Sequence, residues 1–127
     1  MHRLLFSLAL SLALVQPALA ADDATSTREI NYLLEFVASS GCTFIRNGDD
    51  HASPQAADHL RLKYSRGKRY VNSAEQFIDR LATESSWSGD PYTVNCQGSS
   101  QTSAQWLYRA LADYRQTGTA SNAPGTP

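Results

Sequence analysis

Between Glu29 and Tyr114 the chain repeats apolar residues at helical spacing four times, and two short β-prone runs interrupt the series. Ile30, Leu33, Leu34 and Val37 fall at i, i+3, i+4 and i+7, the apolar stripe of an amphipathic helix. Ser26 with Glu29 spells a capping box at its start, which leaves residues 21–27 as a loose lead-in, and Gly41 supplies the stop. Ser53-Pro54 is a second entrance, a capping hydroxyl with proline at the first helical position. The helix it opens carries Ala56, Ala57, Leu60 and Tyr64 inward and is expected to end before Gly67. Ser73 with Gln76 opens a third, with Ala74, Phe77, Ile78, Leu81 and Ala82 on the buried face. A fourth starts near Thr102 or Ser103, with Leu107, Ala110, Leu111 and Tyr114 as its stripe and Trp106 beside it.

The β-prone runs are Cys42-Thr43-Phe44-Ile45 and Tyr92-Thr93-Val94-Asn95-Cys96. The first ends in Arg46-Asn47-Gly48-Asp49, a turn signal in which Asn and Gly tolerate positive φ. Ser85 to Pro91 reads as a hydroxyl-rich loop, and residues 116–127 have almost nothing to bury and read as a disordered tail. No internal repeat is evident. The expected fold is mostly helical α+β: one domain over residues 28–115, four helices around a single core, with a short antiparallel two-stranded β element.

The start of the chain changes the chemical setting. His2 and Arg3, the apolar run Leu4 to Val15 and the small residues Ala18-Leu19-Ala20 spell an export leader cleaved after Ala20. The run is short for a bilayer span and no second one follows, so no stable membrane anchor is expected. Removing those 20 residues leaves 107 of 127, enough to bury roughly 60 to 65% of the unfolded surface. It also takes one of 11 basic residues, leaving 10 against 12 acidic groups, a balance that speaks against a nucleic-acid partner. Cys42 and Cys96 are the only cysteines, and an exported even pair defaults to a disulfide. Closing a loop of that length is worth about 4 kcal/mol by the chain-entropy model. The bond would bring the two β-prone runs together.

Several residues carry candidate chemistry. Five basic residues fall between Arg61 and Arg69, but Arg61, Lys63 and Arg66 do not form one helical stripe, and Lys68 and Arg69 follow Gly67, where cations complement the helix dipole. His59 shares a face with Lys63 and Arg66, which would present an imidazole and two cations to a ligand; its ordinary pKa near neutrality also suits a general base. His51, beside Asp49 and Asp50, reads as a solvated turn residue. Asn47-Gly48-Asp49-Asp50 lacks the ligand spacing of a calcium loop, and neither a metal nor a cofactor is expected. No Gly-x-Ser-x-Gly elbow exists; Ser26, Ser53, Ser73 and Ser103 read as helix caps, and the Ser-x-x-Lys spelling at Ser65 to Lys68 stands alone without the motifs that would give it meaning. The loop from Ser85 to Tyr92 mixes hydroxyls with two aromatic rings, a combination suited to a sugar or peptide.

Cys42-Thr43-Phe44-Ile45-Arg46-Asn47-Gly48, Ala57-Asp58-His59-Leu60 with Lys63-Tyr64, Ala74-Glu75-Gln76-Phe77-Ile78, and Ser85-Ser86-x-Ser88-Gly89-x-Pro91-Tyr92 together resemble the YfeK-like family. These are small exported proteins of Gram-negative bacteria, a domain of unknown function, and the resemblance runs from about Glu29 to Arg115. It implies a periplasmic location and brings no activity, substrate or catalytic residue. Its polar members, Arg46, Asn47, His59, Lys63, Ser86, Ser88 and Tyr92, are expected to converge on one cleft where the β runs meet the second helix. The expected function is a monomeric, non-enzymatic binding or interaction module for an anionic small molecule, an envelope glycan or a protein. Arg46 and Lys63 would supply charge-assisted bonds, Asn47 and the serines would orient the ligand, and Tyr92 or Trp87 would stack. The rival is a small hydrolase or transferase with His59 as base and Ser86 or Ser88 as nucleophile, whose mark would be a serine oxygen within hydrogen-bond reach of His59.

Overall fold

The structure is a computed structural model that describes residues 11–13 and 18–120; most of the expected leader and the end of the expected tail lie outside these. The described chain runs α1 (Ala18–Ser39), β1 (Thr43–Arg46), β2 (Asp49–Ala52), α2 (Ser53–Gly67), a 3₁₀ turn (Lys68–Tyr70), α3 (Ala74–Leu81), β3 (Thr93–Cys96), β4 (Ser99–Thr102) and α4 (Ser103–Ala120). The four expected helices are present, and every residue of the stripes at Ile30, Leu33, Leu34, Val37, Ala56, Ala57, Leu60, Ala74, Phe77, Ile78, Ala82, Leu107, Ala110 and Leu111 is buried in one core. Among the described residues no helix is long and apolar enough to cross a membrane.

The β element has four strands rather than two, in the order β2-β1-β3-β4 with every neighbour antiparallel. β2 reads Asp-Asp-His-Ala and β4 reads Ser-Ser-Gln-Thr, so neither carries the apolar alternation that announces a strand. Backbone pairing through two tight turns holds them instead. Asn47 and Gly48 have φ of 52° and 79°, Gln97 and Gly98 have 54° and 84°, and two consecutive positive φ values are what a two-residue hairpin turn matched to strand twist requires.

The two hairpins also overturn the expectation of no repeat. Thr43–Arg46, Asp49–Ala52 and the start of α2 at Ser53 recur 50 positions later as Thr93–Cys96, Ser99–Thr102 and the start of α4 at Ser103. From Cys42 to Leu60 only Thr43, Gly48, Ser53 and Gln55 find the same residue at that offset, so the repeat lives in the backbone and is hidden in the side chains.

The centre of the sheet is the β1–β3 pairing, with Thr43 opposite Asn95, Phe44 opposite Val94 and Ile45 opposite Thr93. One step further in each direction, this register sets Cys42 against Cys96 and Arg46 against Tyr92. Because side chains alternate, Cys42, Phe44 and Arg46 share a face with Tyr92, Val94 and Cys96. That face meets the core: Phe44 packs on Tyr92 and Trp106 at ring separations of 5.8 and 6.3 Å. Cys42 and Cys96 are disulfide-bonded, their Cα atoms 4.5 Å apart.

Helix ends depart from the expected caps in instructive ways. α1 is already helical through residues 21–27, and Ser26 does not cap it; its hydroxyl donates to the Asn72 carbonyl at 2.9 Å. Glu29, buried, accepts from Arg115 at 2.7 and 3.0 Å, and Arg115 also reaches Glu75, so one guanidinium ties α1, α3 and α4 together. Ala52 rather than Ser53 is the N-cap of α2, and the Ser53 hydroxyl donates to the Cys42 carbonyl at 2.8 Å beside the disulfide. Ser73 caps α3 as expected, accepting from the Gln76 amide at 3.1 Å. At α4 the cap is Thr102, which accepts from the Gln105 amide; Ser103 is buried. α4 continues through residues 116–120, beyond the expected start of the tail.

The disulfide closes the sheet at the end opposite Arg46, so its removal should be felt as global stability. Replacing both cysteines, Cys42→Ala with Cys96→Ala, is expected to lower the unfolding free energy by about 2–4 kcal/mol. Urea denaturation of the two proteins measures this, and coincident transitions would contradict it.

Candidate functional site

A cleft of about 550 Å³ opens where the end of β1, the exposed side of α2 and the loop before β3 meet. That volume lies within the roughly 300–1,000 Å³ typical of small-molecule sites. Each side chain arrives for a local reason. Arg46 ends β1, facing Tyr92 across the strand pair. His59 and Lys63 sit one helical turn apart on α2, with Arg66 close behind, while Ser85, Ser86 and Trp87 come from the loop.

The polar groups form a continuous chain. Arg46 Nη1 stands 2.7 Å from Nδ1 and 2.9 Å from Nε2 of His59. His59 Nε2 lies 3.3 Å from Tyr92 Oη, and Lys63 Nζ donates to Tyr92 Oη at 3.2 Å and to the Glu84 carbonyl at 3.3 Å. Burial, then the positive charges of Arg46, Lys63 and His51, lower the His59 pKa from 6.5 to about 4, so the ring is neutral at pH 7. A neutral imidazole has one acceptor nitrogen. We assign it to Nδ1, which makes the shorter contact with the obligate donor Arg46 and leaves Nε2–H facing Tyr92 Oη. The phenol oxygen then accepts from Lys63 and His59, and its own proton is used by neither contact. Burial and the neighbouring Arg46 lower the Lys63 pKa against the opposing pull of Glu84. Burial raises that of Tyr92, which is 1% exposed.

Among the described residues, neither Arg46, Lys63 nor Arg66 has a carboxylate within salt-bridge distance. Asp49 is the carboxylate on the cleft's lining. Arg61, by contrast, turns away and pairs with Glu35 at 2.8 Å and Asp58 at 3.2 Å.

Six of the seven residues expected to converge, Arg46, Asn47, His59, Lys63, Ser86 and Tyr92, line this cleft. Ser88 does not. Its hydroxyl donates to Asn47 Oδ1, while Asn47 Nδ2 donates to Ser85 Oγ at 3.2 Å, so the asparagine amide straps the loop to the hairpin turn. Ser85 Oγ also accepts from the amides of Trp87 and Ser88 at 3.3 Å, a hub that the run of similar serines in the sequence conceals. Among the described residues no hydrogen bond joins His59 to Ser86 or Ser88, the contact by which the hydrolase reading would be known. His51 is not a solvated turn residue: it lies in β2 opposite Phe44, half-buried, with Nε2 buried and lacking a hydrogen-bond partner. It lines a second cavity of about 310 Å³ that shares Arg46 and His59 with the cleft.

The stretch that builds both hairpins and the cleft is also the stretch that matches known proteins. Residues 24–115 match the model of a family of unknown function, DUF5329. The chain belongs to this family. It is 42% identical over 83 residues to the uncharacterized protein YfeK of Salmonella typhimurium strain LT2, an alignment covering 65% of this chain and 69% of that one. No solved structure matches the chain. The family brings no activity with it.

The His59 ring is expected to titrate near pH 4 by NMR, and Arg46→Gln should move its midpoint upward toward 6.5. A histidine whose pKa falls on folding is protonated more readily in the unfolded chain, so stability is lost as pH drops from about 6.5 to about 4. His59→Gln should flatten that part of the stability profile. A wild-type midpoint at 6.5 would contradict the assigned contact.

Proposed function

We propose that this chain is an exported, monomeric, non-enzymatic binding module whose cleft takes an anionic small molecule. The observation that carries the reading is that Arg46 and Lys63 face one cavity with no carboxylate paired to either among the described residues. A cation held near a protein surface ordinarily finds water or a counter-charge; two such groups beside one phenol, with Arg66 nearby, form a set of donors awaiting an acceptor. His59 serves this arrangement as a neutral acceptor that positions Arg46 without adding charge. Trp87, 90% exposed on the lining of the cleft, offers a flat apolar surface to the uncharged part of a ligand. Export is supported by the basic, apolar and small-residue pattern of residues 1–20 and by the Cys42–Cys96 disulfide, which favours an oxidising compartment.

The test uses simple oxyanions. At pH 7 and low ionic strength, titration with acetate or inorganic phosphate should shift the resonances of Arg46, Lys63 and Tyr92 saturably, with affinity that falls as salt is added. Arg46→Ala should weaken binding about tenfold or more, in keeping with the loss of a charge-assisted pair. Absence of a saturable response to either anion, or a response that Arg46→Ala leaves intact, would overturn the reading.

A further inference from the structure

The second cavity has a different character from the cleft it adjoins. Arg46 and His59 form the wall between them. On the far side the floor is Phe44 and Ala56, and the polar groups are Gln55, Asp58 and His51. Asp58 accepts only, its Oδ1 taken by Arg61 at 3.2 Å, and Gln55 both donates and accepts, while His51 Nε2 is sealed from the cavity. With Glu35 and Asp58 sharing the one Arg61 guanidinium this side stays net negative, which disfavours a second anion, and the open Oδ2 of Asp58 invites hydroxyl donors.

A ligand that lies across Arg46 therefore meets cations at one end and a mixed, hydroxyl-matching set at the other. Dicarboxylates and bisphosphates satisfy the first end and are repelled at the second. Plain sugars satisfy the second and leave the cations bare. We propose that the ligand is a sugar acid: its carboxylate is held by Arg46 and Lys63, its ring passes over the Arg46 side chain, and its hydroxyls reach Gln55 and the open oxygen of Asp58. Trp87 at the cleft supplies the ring surface on which the apolar face of a pyranose packs. This proposal rests on the reading of the cleft as an anion site and adds to it the class of molecule that carries the anion.

Titration of the full chain at pH 7 with D-glucuronate, acetate and D-glucose, read by Trp87-sensitive fluorescence and by NMR, separates the two claims. Glucuronate is expected to bind at least about tenfold more tightly than either acetate or glucose. Gln55→Ala and Asp58→Asn, both changes on the accessible side of α2, should weaken glucuronate several-fold and leave acetate unchanged, whereas Arg46→Ala should weaken both. Amide spectra of the variants verify that they are folded. Equal affinity for glucuronate and acetate, or indifference of glucuronate to Gln55→Ala and Asp58→Asn, would overturn the sugar-acid proposal while leaving the anion site standing. No binding of either anion would overturn both. A trigalacturonate arm identifies the source, since tighter binding than monomeric galacturonate marks the end of a glycan chain and equal binding marks a free sugar acid.

Discussion

Everything in this molecule that bears on function depends on the register between β1 and β3. A slip of one residue would turn Arg46 and Phe44 to the outer face of the sheet and bury Thr43 and Ile45 in their place. Strands of four residues hold register weakly by themselves. The Cys42–Cys96 bond pins one end of the pair, and the Phe44–Val94 contact buries its middle. The other end then has no freedom but to place Arg46 across from Tyr92. The hidden repeat gives this a simple geometric meaning. Under the shift of 50 positions Cys42 corresponds to Tyr92 and Arg46 to Cys96, so the staple and the site occupy equivalent corners of a pseudo-twofold sheet. One corner carries the covalent bond and the other carries the chemistry.

The cost of the site is visible in its titrations. Burial first, and then the positive charge of Arg46, lowers the Lys63 pKa, and burial with the charges of Arg46 and Lys63 holds His59 neutral. A protein selecting only for stability would place carboxylates among these cations, as it does where Glu29 and Glu75 meet Arg115 and where Glu35 and Asp58 meet Arg61. The contrast between these paired arginines and the unpaired group in the cleft is what the proposed anion site rests on.

Much of the fold was legible because helices advertise themselves twice, by spacing and by content: the stripes at Ile30 to Val37 and at Leu107 to Leu111 are buried as their periodicity implies. The edge strands were not legible, since Asp49–Ala52 and Ser99–Thr102 bury little and owe their existence to backbone pairing and turn geometry. Asn47-Gly48 did announce the first turn, but Gln97-Gly98 gives a weaker signal for the second, and the repeat stayed hidden. Serines misled three times: Ser26 and Ser53 look like caps but donate to carbonyls elsewhere in the fold, and beside Ser103 it is Thr102 that caps. For the site, the polar residues inside the family strings were enough to bring Arg46, His59, Lys63 and Tyr92 together. The second cavity was beyond reach, because Gln55, Asp58 and His51 converge only once β2 is known to exist.

The central claim is that the pinned register, by setting Arg46 opposite Tyr92, creates the anion-binding cleft. Its most direct test is a phosphate titration of the disulfide-intact protein and of the folded, reduced protein, followed at the side chains of Arg46, His59 and Tyr92. The account predicts saturable shifts in the intact protein, and in the reduced one a loosened Arg46–His59 contact, seen as a rise in the His59 pKa, with phosphate affinity lowered alongside it. Reduced protein that keeps both the low His59 pKa and undiminished affinity would show that the staple does not hold the site and would contradict the account.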